Sequence, residues 1–115
     1  MAVAKDASGG KAIMGREAYL GGLIGYQQDA IVSRTLVDKS AGTVTLFAFD
    51  AGQGLSEHTA PCDAMVCLIE GRLRITIAGA DHDLSAGQTI IMPANVPHAV
   101  SAPERAKMLL IMIRA

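Results

Sequence analysis

Two of the three histidines in this chain, His58 and His98, each lie in a stretch of β-type residues punctuated by glycine and proline. The first stretch reads Gly52-Gln53-Gly54-Leu55-Ser56-Glu57-His58-Thr59-Ala60-Pro61-Cys62-Asp63-Ala64 and continues through Met65 to Glu70 and Gly71. The second reads Gly87-Gln88-Thr89-Ile90-Ile91-Met92-Pro93-Ala94-Asn95-Val96-Pro97-His98. Imidazole is a common metal ligand and, when neutral, a general base. Side chains at i and i+2 of an extended strand share a face, so His58 and Ala60 point the same way. Two imidazoles alone fall short of the three or more protein ligands that catalytic metal sites retain. Cys62 could add a thiolate suited to Zn²⁺ or Fe²⁺, although a lone cysteine also serves as a small buried hydrophobe. Glu57 is turned by strand parity to the opposite face from His58 and reads as a salt-bridged surface carboxylate. Gln53 and Asp63 could approach from loops. His82, between Asp81 and Asp83, reads as part of a solvated hairpin turn. Met92, Met108 and Met112 suit either cavity wall or adaptable core.

The elements that must hold these residues are short strands. Thr43 to Phe49 is built of β-branched and aromatic residues and stops at Asp50-Ala51-Gly52. Arg72 to Ile77 alternates strictly, with Leu73, Ile75 and Ile77 on one face and Arg72, Arg74 and Thr76 on the other. A hairpin turn follows at Gly79-Ala80-Asp81. Further strands fit His82 to Leu84, Thr89 to Met92, His98 to Ser101 and Lys107 to Ile113, and a weaker one fits Ala30 to Val37. Short strands between Gly/Pro turns, with hardly a helical period, indicate an all-β sandwich or barrel. Residues 1–18, rich in Gly, Ala, Lys and Ser, read as a flexible N-terminal arm, and residues 19–115 as a single barrel domain.

Composition narrows the function classes. With 115 residues, half of them apolar, the chain can bury one core. Net charge is −1 with no basic stripe, which argues against nucleic acid. No apolar run approaches the roughly 18 residues of a membrane span. The first residues lack the apolar core of a signal peptide, so a cytoplasmic location is expected. Cys62 and Cys67 form no CxxC pair and are expected as reduced thiols. Two Tyr, two Phe and no Trp leave little for a sugar-stacking platform. No GxSxG elbow or phosphate-binding glycine loop is present.

The two histidine-bearing stretches resemble the paired motifs of the cupin superfamily, GxxxxxHxHxxxExxxxxxG and GxxxxxPxGxxH. Ser85-Ala86-Gly87 is similar to the turn that opens the second motif, and Pro93-Ala94-Asn95-Val96-Pro97-His98 to its closing string. The resemblance implies a cupin-type jelly-roll barrel, or double-stranded β-helix. It also implies that His58 and His98 point inward, where the family converges three histidines and a glutamate on a divalent metal. Ala60 stands at the second histidine position and Ala64 at the glutamate position. A metal would therefore rest on His58 and His98, with Cys62 as a further ligand, and would be a divalent transition metal (Zn, Fe, Mn, Ni or Cu). The two alanines also widen the cavity and make it apolar, with His58, Ala60, Ala64, Met92 and His98 as its walls. The leading expectation is a protein that binds a small, mostly apolar molecule in the barrel with little or no catalysis. The alternative is a metal-dependent enzyme of the dioxygenase or isomerase class using the reduced two-histidine site. Related small cupins pair through sheet faces. Met108 to Ile113, apolar on both faces, and Ile31 to Leu36 suit that arrangement, so a homodimer is expected.

Overall fold

The computed structural model describes residues 13–114 and the backbone of one short strand near the N-terminus. The strands are β1 (Val3–Lys5), β2 (Ile31–Lys39), β3 (Gly42–Phe49), β4 (Gly54–His58), β5 (Asp63–Glu70), β6 (Arg72–Ile77), β7 (Ala80–Ser85), β8 (Thr89–Met92), β9 (His98–Ser101) and β10 (Ala106–Ile113). They form a six-stranded sheet in the order β1-β2-β3-β10-β5-β8 and a four-stranded sheet in the order β4-β9-β6-β7. The all-β jelly roll expected from the sequence is what these sheets make, with two open sheets packed face to face. No helix among the described residues is long and apolar enough to cross a membrane.

Alternation explains the packing. Leu73 and Ile75 of β6, Leu84 of β7 and Val100 of β9 meet Ile31, Phe49, Val66, Leu68 and Met108 of the larger sheet in one buried cluster. Phe47 and Phe49 stack within it at a centroid distance of 6.0 Å. Truncating such a side chain to alanine costs about 2–5 kcal/mol. On the outer face of β6, Arg74 Nε donates to Asp83 at 2.8 Å and the Thr76 hydroxyl to Asp81 at 2.7 Å.

Two turns fix how the strands join. Gly71, at φ 80°, passes the chain from the larger sheet to the smaller, and a methyl group there would overlap the Arg105 carbonyl. The β6–β7 turn has positive φ at Ala78 (50°) and Gly79 (81°), the two-residue geometry that matches strand twist. The hairpin turn therefore falls one residue earlier than its composition suggested. Asp81, His82 and Asp83 consequently lie in β7, where His82 pairs with Ile75, and not in the turn.

Most of the expected N-terminal arm, residues 1–2 and 6–12, lies outside the described residues. Val3–Lys5 is a strand, running parallel to Ile31–Ser33 at the sheet edge. Further along, Leu23, Ile24 and Tyr26 cover part of the outer face of the larger sheet, packing on Leu46, Ala48 and Leu109. Polar clamps hold this cover. Arg34 donates to the Leu23 carbonyl at 2.8 Å, Lys107 to the Gly21 carbonyl at 2.6 Å, and the Tyr26 hydroxyl to Glu70 at 2.6 Å. Burial, then the Glu70 carboxylate, pushes the Tyr26 phenol well above its usual range. Part of the cover expected over β10, at Leu109, is thus supplied by the chain itself.

Candidate functional site

The site forms where β4 and β9 pair. Leu55 lies opposite Val100 and His58 opposite His98, so three steps along β4 match two along β9. That extra residue is a β-bulge, and it changes which face His58 occupies. In a regular strand Leu55 and His58 would face opposite ways, yet both line the same cavity. The bulge re-aims the imidazole inward.

Loop contacts then lock the two histidine segments together. Asn95, at φ 63°, donates its backbone N–H to the Ala60 carbonyl at 2.8 Å. Asparagine tolerates this left-handed conformation better than most residues. The Asp63 carboxylate accepts the Ala94 N–H at 2.9 Å. Asp63 thus acts as a latch beside the site and is absent from the cavity wall.

The imidazoles meet edge to face, with centroids 4.4 Å apart. Each ring bonds the carbonyl two residues before it: His58 Nδ1 to Ser56 at 2.7 Å, and His98 Nδ1 to Val96 at 3.2 Å. A carbonyl only accepts, so each Nδ1 carries hydrogen, and in neutral rings each Nε2 presents a lone pair. The two Nε2 atoms lie 3.2 Å apart. Neutral rings would therefore bring two lone-pair-bearing nitrogens close together, with the rings set off a head-on line by their 4.4 Å centroid separation. A metal ion within reach of both nitrogens relieves this crowding. His98 is buried at 5% exposure, whereas His58 is exposed and stands at the mouth.

Behind the pair lies a cavity of about 50 Å³. Its walls include His58, Ala60, Ala64, Met92 and His98, which the sequence had placed together, and also Leu55, Val100, Met108, Leu110 and Met112. On the larger sheet Ala64 lies directly opposite Met92 of β8 and Met112 of β10, a row of methionine, alanine, methionine. Cys62 is buried but is not part of this wall. Gln53 is also outside it. Glu57 is exposed and, among the described residues, makes no ion pair, so the salt bridge expected of it is not formed. Among the described residues no three His, Cys, Asp or Glu side chains converge as a metal cluster. The donor set of a three-histidine, one-glutamate centre is thus not met.

Sequence reasoning missed the Ser56 and Val96 carbonyls and the Asp63–Ala94 latch. Every histidine has a carbonyl two residues back, so spacing carries no signal for such bonds. Asp63 directly precedes the inward Ala64, and alternation alone could have placed it on the outer side.

A paired-motif jelly roll with inward histidines on both motifs is the architecture of a cupin. The cupin domain family matches residues 45–114, and the chain belongs to that family. Among solved structures it is similar to a conserved protein of unknown function from Streptococcus pyogenes (38% identity, TM-score 0.84), with 87% of this chain and 88% of that one covered. A cupin superfamily protein from Desulfitobacterium hafniense matches at 27% identity and TM-score 0.84, covering 87% and 92%. A cupin 2 conserved barrel domain protein from Leptotrichia buccalis matches at 36% identity and TM-score 0.80, covering 82% of this chain and 46% of that one. A comparison with curated proteins returns no match.

Proposed function

We propose that this cupin is a binding module whose barrel takes one very small occupant against the His58–His98 pair. The observation that carries this reading is the cavity wall. Its side chains are apolar except for the two imidazoles, and the alanines stand where the family places a histidine and a glutamate. At about 50 Å³ the space is far smaller than the ~300–1,000 Å³ of a pocket for drug-sized ligands. A mostly apolar molecule of a few heavy atoms suits it, oriented by one imidazole nitrogen.

The test is a fragment screen by ligand-observed NMR and thermal unfolding, run beside Ala64→Leu, which fills the cavity. A ligand at about one hundred times its Kd should stabilise the native protein by roughly 2.7 kcal/mol. Loss of that effect in the filled variant would support the reading. Equal binding to both proteins, or no binding fragment at all, would overturn it.

One observation favours a second reading, in which the occupant is a metal ion. The Nε2 atoms of His58 and His98, 3.2 Å apart in the cavity wall, are two nitrogen donors within reach of one ion. Dioxygenase or isomerase chemistry of the usual cupin kind would need further nitrogen or oxygen ligands, which Ala60 and Ala64 do not supply.

A further inference from the structure

We propose that the His58–His98 pair and the methionines facing it form a site for a soft monovalent cation, copper(I), and not for the divalent ions that the fold would suggest. This inference rests on the second reading above, that the imidazole pair holds a metal. Three observations lead to it. The first is the pair of Nε2 atoms 3.2 Å apart, both bare of hydrogen when the rings are neutral. A point about 2.0–2.1 Å from each nitrogen, the usual metal–imidazole length, sees them at about 100–106°. That angle is near tetrahedral. It leaves room for further ligands and is unlike the straight line of a two-coordinate ion.

The second observation is what occupies the opposite wall. Met92 and Met112 flank Ala64 in one cross-strand row, and Met108 lies on the same face of β10 as Met112. Alanine in the middle of the row leaves space for unbranched thioether side chains to swing toward the imidazoles. Thioether sulfur selects copper(I) among the common biological metals, and imidazole also suits copper. Hard ions such as Mn²⁺ gain little from sulfur.

The third is charge. Imidazole and thioether are neutral, and no carboxylate or thiol lines the cavity. The ion must therefore bring its whole charge into a largely apolar space. The cost of burying an ion rises with the square of its charge, so a monovalent ion pays about a quarter of the divalent penalty.

The test is anaerobic titration of untagged protein with copper(I), using a chromophoric copper(I) chelator as competitor, beside titrations with Zn²⁺ and Mn²⁺. Three variants accompany the wild type: Met92→Leu/Met112→Leu, which conserves volume, His58→Ala/His98→Ala, and the outer-face control Met65→Leu. One copper(I) per chain is expected, held more tightly than Zn²⁺, with a sulfur shell in the copper K-edge absorption. The double methionine variant should weaken copper(I) by about tenfold or more, lose sulfur from the shell and leave Zn²⁺ within about twofold. Met65→Leu should change nothing. Unchanged copper(I) affinity in the methionine variant, or a shell without sulfur, would overturn the thioether inference while the histidine pair still stood as a metal site. Equal metal binding by the double histidine variant and the wild type, or none by either, would overturn the underlying reading as well.

Discussion

At the scale of single residues, the chemistry of the barrel is set by Ala60 and Ala64. Ala64 is 2% exposed, on the inner face between two methionines, and Ala60 follows the bulged histidine strand. Writing the family's ligands back, as Ala60→His/Ala64→Glu, should create a four-ligand centre with His58 and His98. Calorimetric titration should then show Mn²⁺ or Ni²⁺ binding tighter than in the parent. The metal-free variant should unfold about 1–3 kcal/mol more easily, from overpacking and a buried carboxylate. If divalent affinity stays at the parent level, these positions do not face a common ion. The inward placement of both histidines followed from the resemblance of their stretches to the paired cupin motifs. The re-aiming bulge was not legible, because Leu55-Ser56-Glu57-His58 reads as an ordinary strand and the extra residue exists only relative to β9.

At the scale of elements, Asp50 ties three chain segments together. Its carboxylate accepts the Asp29 N–H at 2.7 Å ahead of β2 and the Arg105 guanidinium at 2.8 Å ahead of β10, while Asp50 itself directly follows β3. The Asp29 N–H first, and then Arg105, hold this carboxyl below its usual range. Folding therefore favours the ionised form. The stabilisation is complete above the unfolded carboxylate value near ~4 and is lost as pH falls through the lower folded value. Urea midpoints from pH 7 down to pH 2 should show Asp50→Asn weakened at neutral pH, with a flatter acid limb than wild type. Parallel acid limbs in the two proteins would remove Asp50 from the account. The alternating strand Arg72–Ile77 was readable because one face is buried and the other wet. Val3–Lys5 was not, since three residues at a sheet edge display no period. The Tyr26–Glu70 contact joins positions too distant in the chain for any local pattern to announce.

At the scale of the whole molecule, one feature of the larger sheet points outward. Val37, Val44, Ile111, Met65 and Ile91 are paired neighbour to neighbour across five strands, forming an uncharged row. Its ends are open, with Val37 39% and Ile91 58% exposed. A straight apolar row is complementary to a second copy rotated by a two-fold axis, as in the commonest kind of homodimer. We expect light scattering at micromolar concentration to give twice the chain mass, and Ile91→Glu/Ile111→Glu to return it to the monomer. A wild-type monomer would leave this face to another role. The sequence marked Met108 to Ile113 as apolar on both sides. Which part the chain covers for itself depends on residues 23–26 folding back, and that is a long-range outcome.

The bulge in β4 also makes the length of that strand a coded property. Deleting a single residue between Leu55 and His58 would put them two positions apart, matching the two from Val100 to His98, so the ladder would become regular with the imidazole still on the inner face. A one-codon deletion there should thus leave a well-folded barrel that keeps both members of its nitrogen pair. Among relatives, a histidine two positions after the residue matching Leu55 can therefore serve the same occupant as one placed three positions after it across a bulge.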